Sequence, residues 1–212
     1  MQRADNIKDS IPMAKTNAPC FQVRITLHDI QPAIWRRILV SSETKLSQFH
    51  DIIQTAMGWQ NSHAHMFKVG IVRFTTPFQA EDLVELTAID ARQVKLHHLV
   101  APYRPYSGDF HFACEYDYDF GDRWSHDVVF EDVLDADPNR KVPVCIAGER
   151  ACPPEDVGGA YGYESFLEAL KNPDHPEHAY QLGWIGHDFD PEKFDVEVVN
   201  AGLHDLKLGD IM

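Results

Sequence analysis

Hydrophobic and polar residues alternate with a period of two through much of the first two-thirds of the chain. The clearest case is the stretch Cys114 to His126, CEYDYDFGDRWSH. Phe112, Cys114, Tyr116, Tyr118 and Phe120 fall on one side, and Glu115, Asp117 and Asp119 on the other. Such alternation predicts a half-buried strand. It reverses around Gly121-Asp122 and returns from Trp124 to Val133. Two registers remain open. A two-residue turn on Gly121-Asp122 sets Asp117 opposite His126. A three-residue loop keeps Tyr116, Tyr118, Phe120, Trp124, His126 and Val128 on one apolar face, but sets Asp117 against Asp127. A bulge would reconcile the two.

Upstream, Phe21, Val23, Ile25 and Leu27 alternate with Gln22, Arg24 and Thr26, and a second strand spans Ile34 to Val40, completing a hairpin. Arg36 and Arg37 are adjacent and must face opposite ways. The simpler reading is an edge-strand arginine that snorkels; the sharper one is an arginine reaching the carboxylates of 115–122. Leu46 to Met57 is predicted as a helix, with Leu46, Phe49, Ile52, Ile53, Ala56 and Met57 on one stripe and Gly58 as its stop. His50 and Asp51 lie off that stripe, where a solvated face is expected. Met66 to Phe74 reads as one strand, Thr75 to Val94 as a loop with a short element, and Pro102, Pro105 and Gly108 as loop punctuation. Val142 to Ile146 is a short strand. Helices follow at Tyr163 to Leu170, from Pro176 to Ile185, and from Asp190-Pro191-Glu192 to Leu203.

Strands early and helices late predict an α+β class: an antiparallel-rich mixed sheet, one helix between the N-terminal strands, and a C-terminal group of helices packed on one face. The organisation expected is a flexible leader over 1–19, a single domain over 20–204, and a tail over 205–212.

Charge narrows the partners. The chain holds 33 Asp and Glu against 19 Lys and Arg, a formal charge of -14. With no Lys/Arg run longer than Arg36-Arg37, this field disfavours direct binding to duplex DNA or to an anionic membrane. No apolar N-terminal run suggests a signal peptide or a membrane span, and the four cysteines form no C-x-x-C pair, so a cytoplasmic protein with reduced thiols is expected.

The chemistry concentrates in two places. The first is the acidic edge of the central hairpin. The second is the Gly/Pro-rich stretch CIAGERACPPEDVGGAYGY, whose glycines match no phosphate-binding pattern. Together they give a candidate binding surface of Asp117, Asp119, Asp122, Arg123, Trp124, His126, Glu155 and Asp156. Asp122 also suits a simple turn role, and Arg123 a pairing with it or with Glu155. Tyr116, Tyr118, Phe120, Trp124, Tyr161 and Tyr163 suit either a ligand groove or the core. Weaker metal candidates are His63 and His65, which share a face if they lie on a strand, and Cys145 and Cys152, separated by more residues than a usual zinc knuckle. A divalent metal is the one cofactor these residues suggest.

Several motifs in series carry a resemblance: PAIWRRI (32–38), HDIIQTAMGW (50–59), SHAHMF (62–67), YDYDFGDRWSH (116–126), CIAGERACPPEDVGG (145–159) and FDPEKFDVEVVN (189–200). Over residues 20 to 204 the chain resembles the plasmid pRiA4b ORF-3-like protein family. The resemblance implies a mixed α+β fold and no settled activity; some members carry the label of insertion-element passenger or resolvase. A resolvase needs a nucleophile amid arginines and a basic DNA-binding module, neither of which is legible here. Three functions stand as expectations: a cytoplasmic ligand- or protein-binding module associated with plasmid or mobile-element genes, a metal-dependent hydrolase-like enzyme using an Asp/His cluster on the 116–126 hairpin, and an accessory partner of a DNA recombination enzyme.

Overall fold

The computed structural model describes residues 18–76, 88–101, 112–186 and 188–206. Residues 1–17 of the expected leader, the loop with Pro102, Pro105 and Gly108, and the tail from 207 lie outside the described residues. The fold is α+β. Among the described residues, eight strands form one mixed sheet: β1 (Cys20–Leu27), β2 (Trp35–Ser41), β3 (His65–Val69), β4 (Val72–Thr75), β5 (Ala88–Asp90), β6 (Phe112–Tyr118), β7 (Trp124–Leu134) and β8 (Val144–Glu149). Their order is β5-β4-β3-β6-β7-β1-β2-β8. All neighbours are antiparallel except β4 and β5. The run read as one strand over Met66 to Phe74 is the β3–β4 hairpin, broken at Gly70, whose φ of 56° suits glycine.

One sheet face is dry. Val23, Ile25, Ile38, Val40, Phe67, Tyr116, Tyr118, Val128 and Phe130 are buried there, while the alternate positions Gln22, Arg24, Thr26, Arg37, Leu39, Lys68, Glu115, Asp117, Asp127 and Val129 are half-buried or exposed. Helix α1 (Leu46–Met57) covers this face, stacking Phe49 on Phe67 and tilting it against Phe130. A short helix α2 (Leu96–Val100) follows β5. Among the described residues, three helices follow β8: α3 (Gly159–Lys171), α4 (His178–Ile185) and α5 (Val196–Asp205). The last starts later than its predicted Asp190-Pro191 opening. Asp195 caps it instead, accepting from the Glu197 and Val198 amides. Within α5, Asn200 bonds both the N–H and the C=O of Cys145 at 2.7 and 2.9 Å. A side-chain amide thus covers part of the outer edge strand, where open backbone groups invite foreign pairing.

The central hairpin takes neither two nor three loop residues. Tyr118 pairs with Trp124 and Tyr116 with His126, leaving Asp119 to Arg123 as the loop. The parity is that of the continuous apolar face, because burying Tyr116, Tyr118, Trp124, His126 and Val128 together outweighs any turn preference. The pairing is nonetheless one residue from the first register, which set Asp117 against His126, and two from the second, which set it against Asp127. Asp117 meets Ser125, whose hydroxyl donates to it at 2.7 Å, and it also ion-pairs with Lys68. Like charges do face each other at Glu115 and Asp127, but Lys68 attends the first and His28 the second.

Arg36 departs from both readings of it. It is 3% exposed on β2, an inner strand between β1 and β8. Its guanidinium donates to the carbonyls of Ala56, Trp35, Glu149 and Arg150 at 2.8–2.9 Å and lies over the Phe194 ring. It therefore ties the C-terminal turn of α1 to the end of β8, where helix carbonyls favour a cation. Arg37, on the wet face, grips Glu131 with two hydrogen bonds.

Candidate functional site

Three chain segments meet at one end of the sheet. The first is the loop after α1, from Gly58 to Ala64. The second is the β6–β7 loop, and the third is the Gly/Pro-rich segment from Pro153 to Gly158. Each is pinned by identifiable bonds. Asp119 Oδ1 accepts from the Gly121 and Asp122 amides at 2.9 and 3.3 Å, and the Asp119 amide donates to the Ala64 carbonyl. The turn is Asp119's own, since its φ is 55° and an Asx carboxylate tolerates that region best. Asp122 Oδ2 accepts from the Gly158 amide at 3.0 Å. Trp59 Nε1 donates to the Pro153 carbonyl, and the Gln60 amide to Glu155 Oε1, at 2.9 and 2.8 Å. Tyr118 completes the frame. Its hydroxyl donates to Glu155 Oε1 at 3.0 Å and accepts from the Ser62 amide at 2.9 Å. Burial pushes the Tyr118 pKa up, and the neighbouring carboxylate adds to this, so the phenol keeps its proton.

Inside this frame, carboxylates converge on a single imidazole nitrogen. His63 Nε2 lies 3.2 Å from Asp156 Oδ1, 3.5 Å from Glu155 Oε2 and 3.7 Å from Asp119 Oδ2. The ligand atoms of His63, Asp119 and Asp156 all lie within 4.8 Å of one another. Donors bound at about 2.1 Å to one ion sit about 3 to 4 Å apart, so a modest contraction would seat a divalent cation among them. Among the described residues no Lys or Arg ion-pairs with Asp119, Glu155 or Asp156. Asp119 is buried, Glu155 half-buried and Asp156 exposed, so the cluster opens to solvent on the Asp156 side.

The sequence candidates divide sharply. Asp119, Glu155, Asp156 and His63 are brought together. Asp122 and Arg123 shape the rim: Asp122 locks the third segment, while Arg123 is exposed at a φ of 59°. Asp117 is not part of the cluster; it is on the wet sheet face with Lys68 and Ser125. Trp124 and His126 are 2% and 0% exposed, so they belong to the core rather than to a binding surface. Trp124 stacks on Trp59, and Trp59 in turn on Tyr118.

His63 and His65 do not share a face, because β3 begins only at His65. His65 is buried, with its ring 3.4 Å from that of His50 and tilted by 8°. Burial, and next the positive charge His50 would carry, hold the His65 pKa far below its ordinary value. Cys145 points to the Ala147 carbonyl, whereas Cys152 sits between the Arg36 guanidinium and the Met57 sulfur. All four thiols are free and buried. Phe120 and Tyr161 are exposed and Tyr163 is buried.

Two features were not legible as functional. His50 and Gln54 flank the apolar stripe of α1 at helical spacing, yet both are buried. Asn61, at a φ of 57°, is the residue on which their hydrogen bonds end.

Comparison with known proteins supplies the kinship. A curated protein of Sinorhizobium fredii, "Uncharacterized protein y4hQ", is 36% identical over 190 residues, covering 89% of this chain and 93% of its own. The crystal structure of "Protein of Unknown Function MM3350" from Methanosarcina mazei Go1 is similar, with a TM-score of 0.72 and 31% identity over 86% of this chain and 98% of that one. Among the described residues, no helix is long and apolar enough to cross a membrane. The model of the plasmid pRiA4b ORF-3-like proteins matches residues 19–198, and the chain belongs to that family.

Proposed function

We propose that this protein is a cytoplasmic ligand-binding module and that its ligand site is the cluster of His63, Asp119, Glu155 and Asp156, whose first occupant is a divalent cation. One observation carries the reading: three carboxylates from two segments surround one imidazole nitrogen at 3.2–3.7 Å, and no fixed cation ion-pairs with those carboxylates among the described residues. A nitrogen donor with carboxylates suits zinc or manganese better than calcium, which prefers an all-oxygen shell. The charge of -14 supports a cationic ligand over a nucleic-acid one.

A metal-dependent hydrolytic role is the second reading, favoured by Glu155. Tyr118 and the Gln60 amide hold this carboxylate beside the cluster, where it could take a proton from a water on an open metal position.

The test is calorimetric titration of the purified full chain with Zn²⁺ and Mn²⁺. We expect one ion per chain. His63→Ala and Asp119→Asn should weaken binding at least about tenfold, the latter because Asn keeps the turn but not the charge. Asp117→Asn, on the wet sheet face, should bind like the wild type. A wild-type protein that binds neither ion, or a His63→Ala variant that binds equally well, would overturn the site. Hydrolysis of phosphodiester or ester substrates that depends on both the metal and Glu155 would select the second reading.

A further inference from the structure

Three buried polar side chains between α1 and the sheet, His50, Gln54 and Tyr116, close a ring of hydrogen bonds with the exposed Asn61. Gln54 Nε2 donates to Tyr116 Oη at 2.9 Å. Tyr116 Oη and His50 Nδ1 are 2.7 Å apart, as are His50 Nε2 and Asn61 Oδ1. The Asn61 amide returns the chain to Gln54 Oε1 at 3.1 Å.

Donor chemistry fixes the direction of this ring. A carboxamide oxygen only accepts, so His50 Nε2 carries the proton. Nδ1 is then the acceptor and Tyr116 donates to it. The Asn61 orientation is held from its other side, where Nδ2 faces Asp51 Oδ1 at 3.4 Å. Flipping that amide would set oxygen against carboxylate. Every member donates once and accepts once, the arrangement in which hydrogen bonds reinforce one another.

We propose that this ring positions the metal-site loop, with His50 and Asn61 as its positioning residues; the inference rests on the reading of His63 as a ligand. His50, Gln54 and Tyr116 are buried among Phe49, Phe67 and Tyr118, where apolar side chains would pack without any need for partners. The ring reaches the surface at Asn61, two residues before His63. It holds Asn61 in the left-handed conformation, a region that Asn enters more readily than most non-glycine residues. From there the loop is nailed down in steps: the Ser62 amide to Tyr118, and the Ala64 carbonyl to the Asp119 amide. His50 also stacks on His65 at the other end of the loop. One buried imidazole thus braces the loop from both sides of His63.

Two variants of the full chain test this. Asn61→Gly keeps the left-handed backbone and removes the acceptor. His50→Phe keeps an aromatic ring on His65 and removes both bonds. Each is compared with the wild type in two measurements: Co²⁺ binding followed by its visible absorption bands, and amide exchange by NMR without metal. We expect Co²⁺ affinity to fall at least about tenfold with altered bands. The backbone amides at positions 61 and 62 should exchange at least about tenfold faster in both variants, while the Ile25 and Val128 amides of the sheet stay unchanged. Wild-type exchange at Ser62 in both variants, or faster exchange with unaltered Co²⁺ affinity, overturns the inference. If wild-type protein takes up no Co²⁺, the proposed function falls and the exchange arm alone judges the ring. If His50→Phe fails to fold, Asn61→Gly decides, since its side chain is at the surface.

Discussion

Lowering the pH from 7 to 5 should destabilise this protein through its buried histidines, before most of its carboxylates take up protons. His126 is 0% exposed; Nδ1 donates to the Tyr116 carbonyl at 3.1 Å, and Nε2 has no hydrogen-bond partner among the described residues. Burial pushes its pKa down to about 4, against a bond to the Tyr116 carbonyl that favours the charged form. Burial also pushes His50 down to about 4, and its bond to Asn61 opposes this. Both rings are therefore neutral in the folded chain, whereas in the unfolded chain they protonate near the ordinary value of about 6.5. Between about pH 6.5 and 4 the unfolded state binds more protons, so stability falls as the pH falls through that window. pH 5 lies about 1.5 units below the unfolded pKa of each group, which costs about 2 kcal/mol, or about 4 kcal/mol for the two, and His65, held lower still by burial, adds to the loss. That is a large share of a typical total of about 5–15 kcal/mol. Urea denaturation at pH 7, 6 and 5 measures it, with the slope against denaturant held as a check on two-state behaviour. His126→Phe removes one titrating group, so its loss over the same range should be smaller by about 2 kcal/mol. Stability that is flat or rises toward pH 5 would refute the argument. So would a His126 ring that titrates near its ordinary value by NMR.

Other expectations follow from single contacts. Arg36→Ala should cost at least about 3 kcal/mol, because the carbonyls of Ala56, Glu149 and Arg150 lose their shared donor. Arg36→Lys should recover little of this, since one ammonium cannot span them; chemical denaturation reads both. Gly159 has a φ of 70°, and an added Cβ would meet the Asp122 carbonyl at 2.5 Å. Gly159→Ala should therefore lower stability by about 1–3 kcal/mol, seen as a reduced melting temperature. The thiols should be inert in the native protein. All are buried, and burial pushes the Cys114 pKa up to about 12, so a disulfide reagent should titrate the four cysteines only after unfolding in urea. Rapid reaction of the folded chain would contradict the packing around Cys114 and Cys152.

The fold was legible because period-two and helical patterns report burial directly, and this sheet has one dry face. The parity of Tyr116, Tyr118, Trp124 and His126 points to the correct face of the central hairpin, although the loop is longer than turn chemistry at Gly121-Asp122 implies. The site was legible only in pieces. His63, Asp119 and Glu155 are each chemically conspicuous, but no spacing says that residues 56 and 36 positions apart share one nitrogen-centred cluster. That meeting depends on where the loop after α1 lands, and the landing is set by tertiary bonds from Tyr118, Trp59 and Asn61.

One local signal does point toward the polar groups of the core. Arg36 shares the parity of Ile34, Ile38 and Val40, and His126 that of Trp124 and Val128. His50 and Gln54 sit one position beyond Phe49 and Ile53 on the helix. Each is a polar residue in or beside a slot that the pattern assigns to the core. A chain can keep such a residue only if tertiary structure supplies partners, because an unsatisfied buried polar group costs about 1–3 kcal/mol. Arg36 answers with four carbonyls, and His50 with a closed ring. His126 answers only in half, since Nε2 is left without a hydrogen bond among the described residues. The same residue that breaks the apolar pattern is thus among those expected to make stability fall as the pH falls, and the break is written in the alternation of the chain itself.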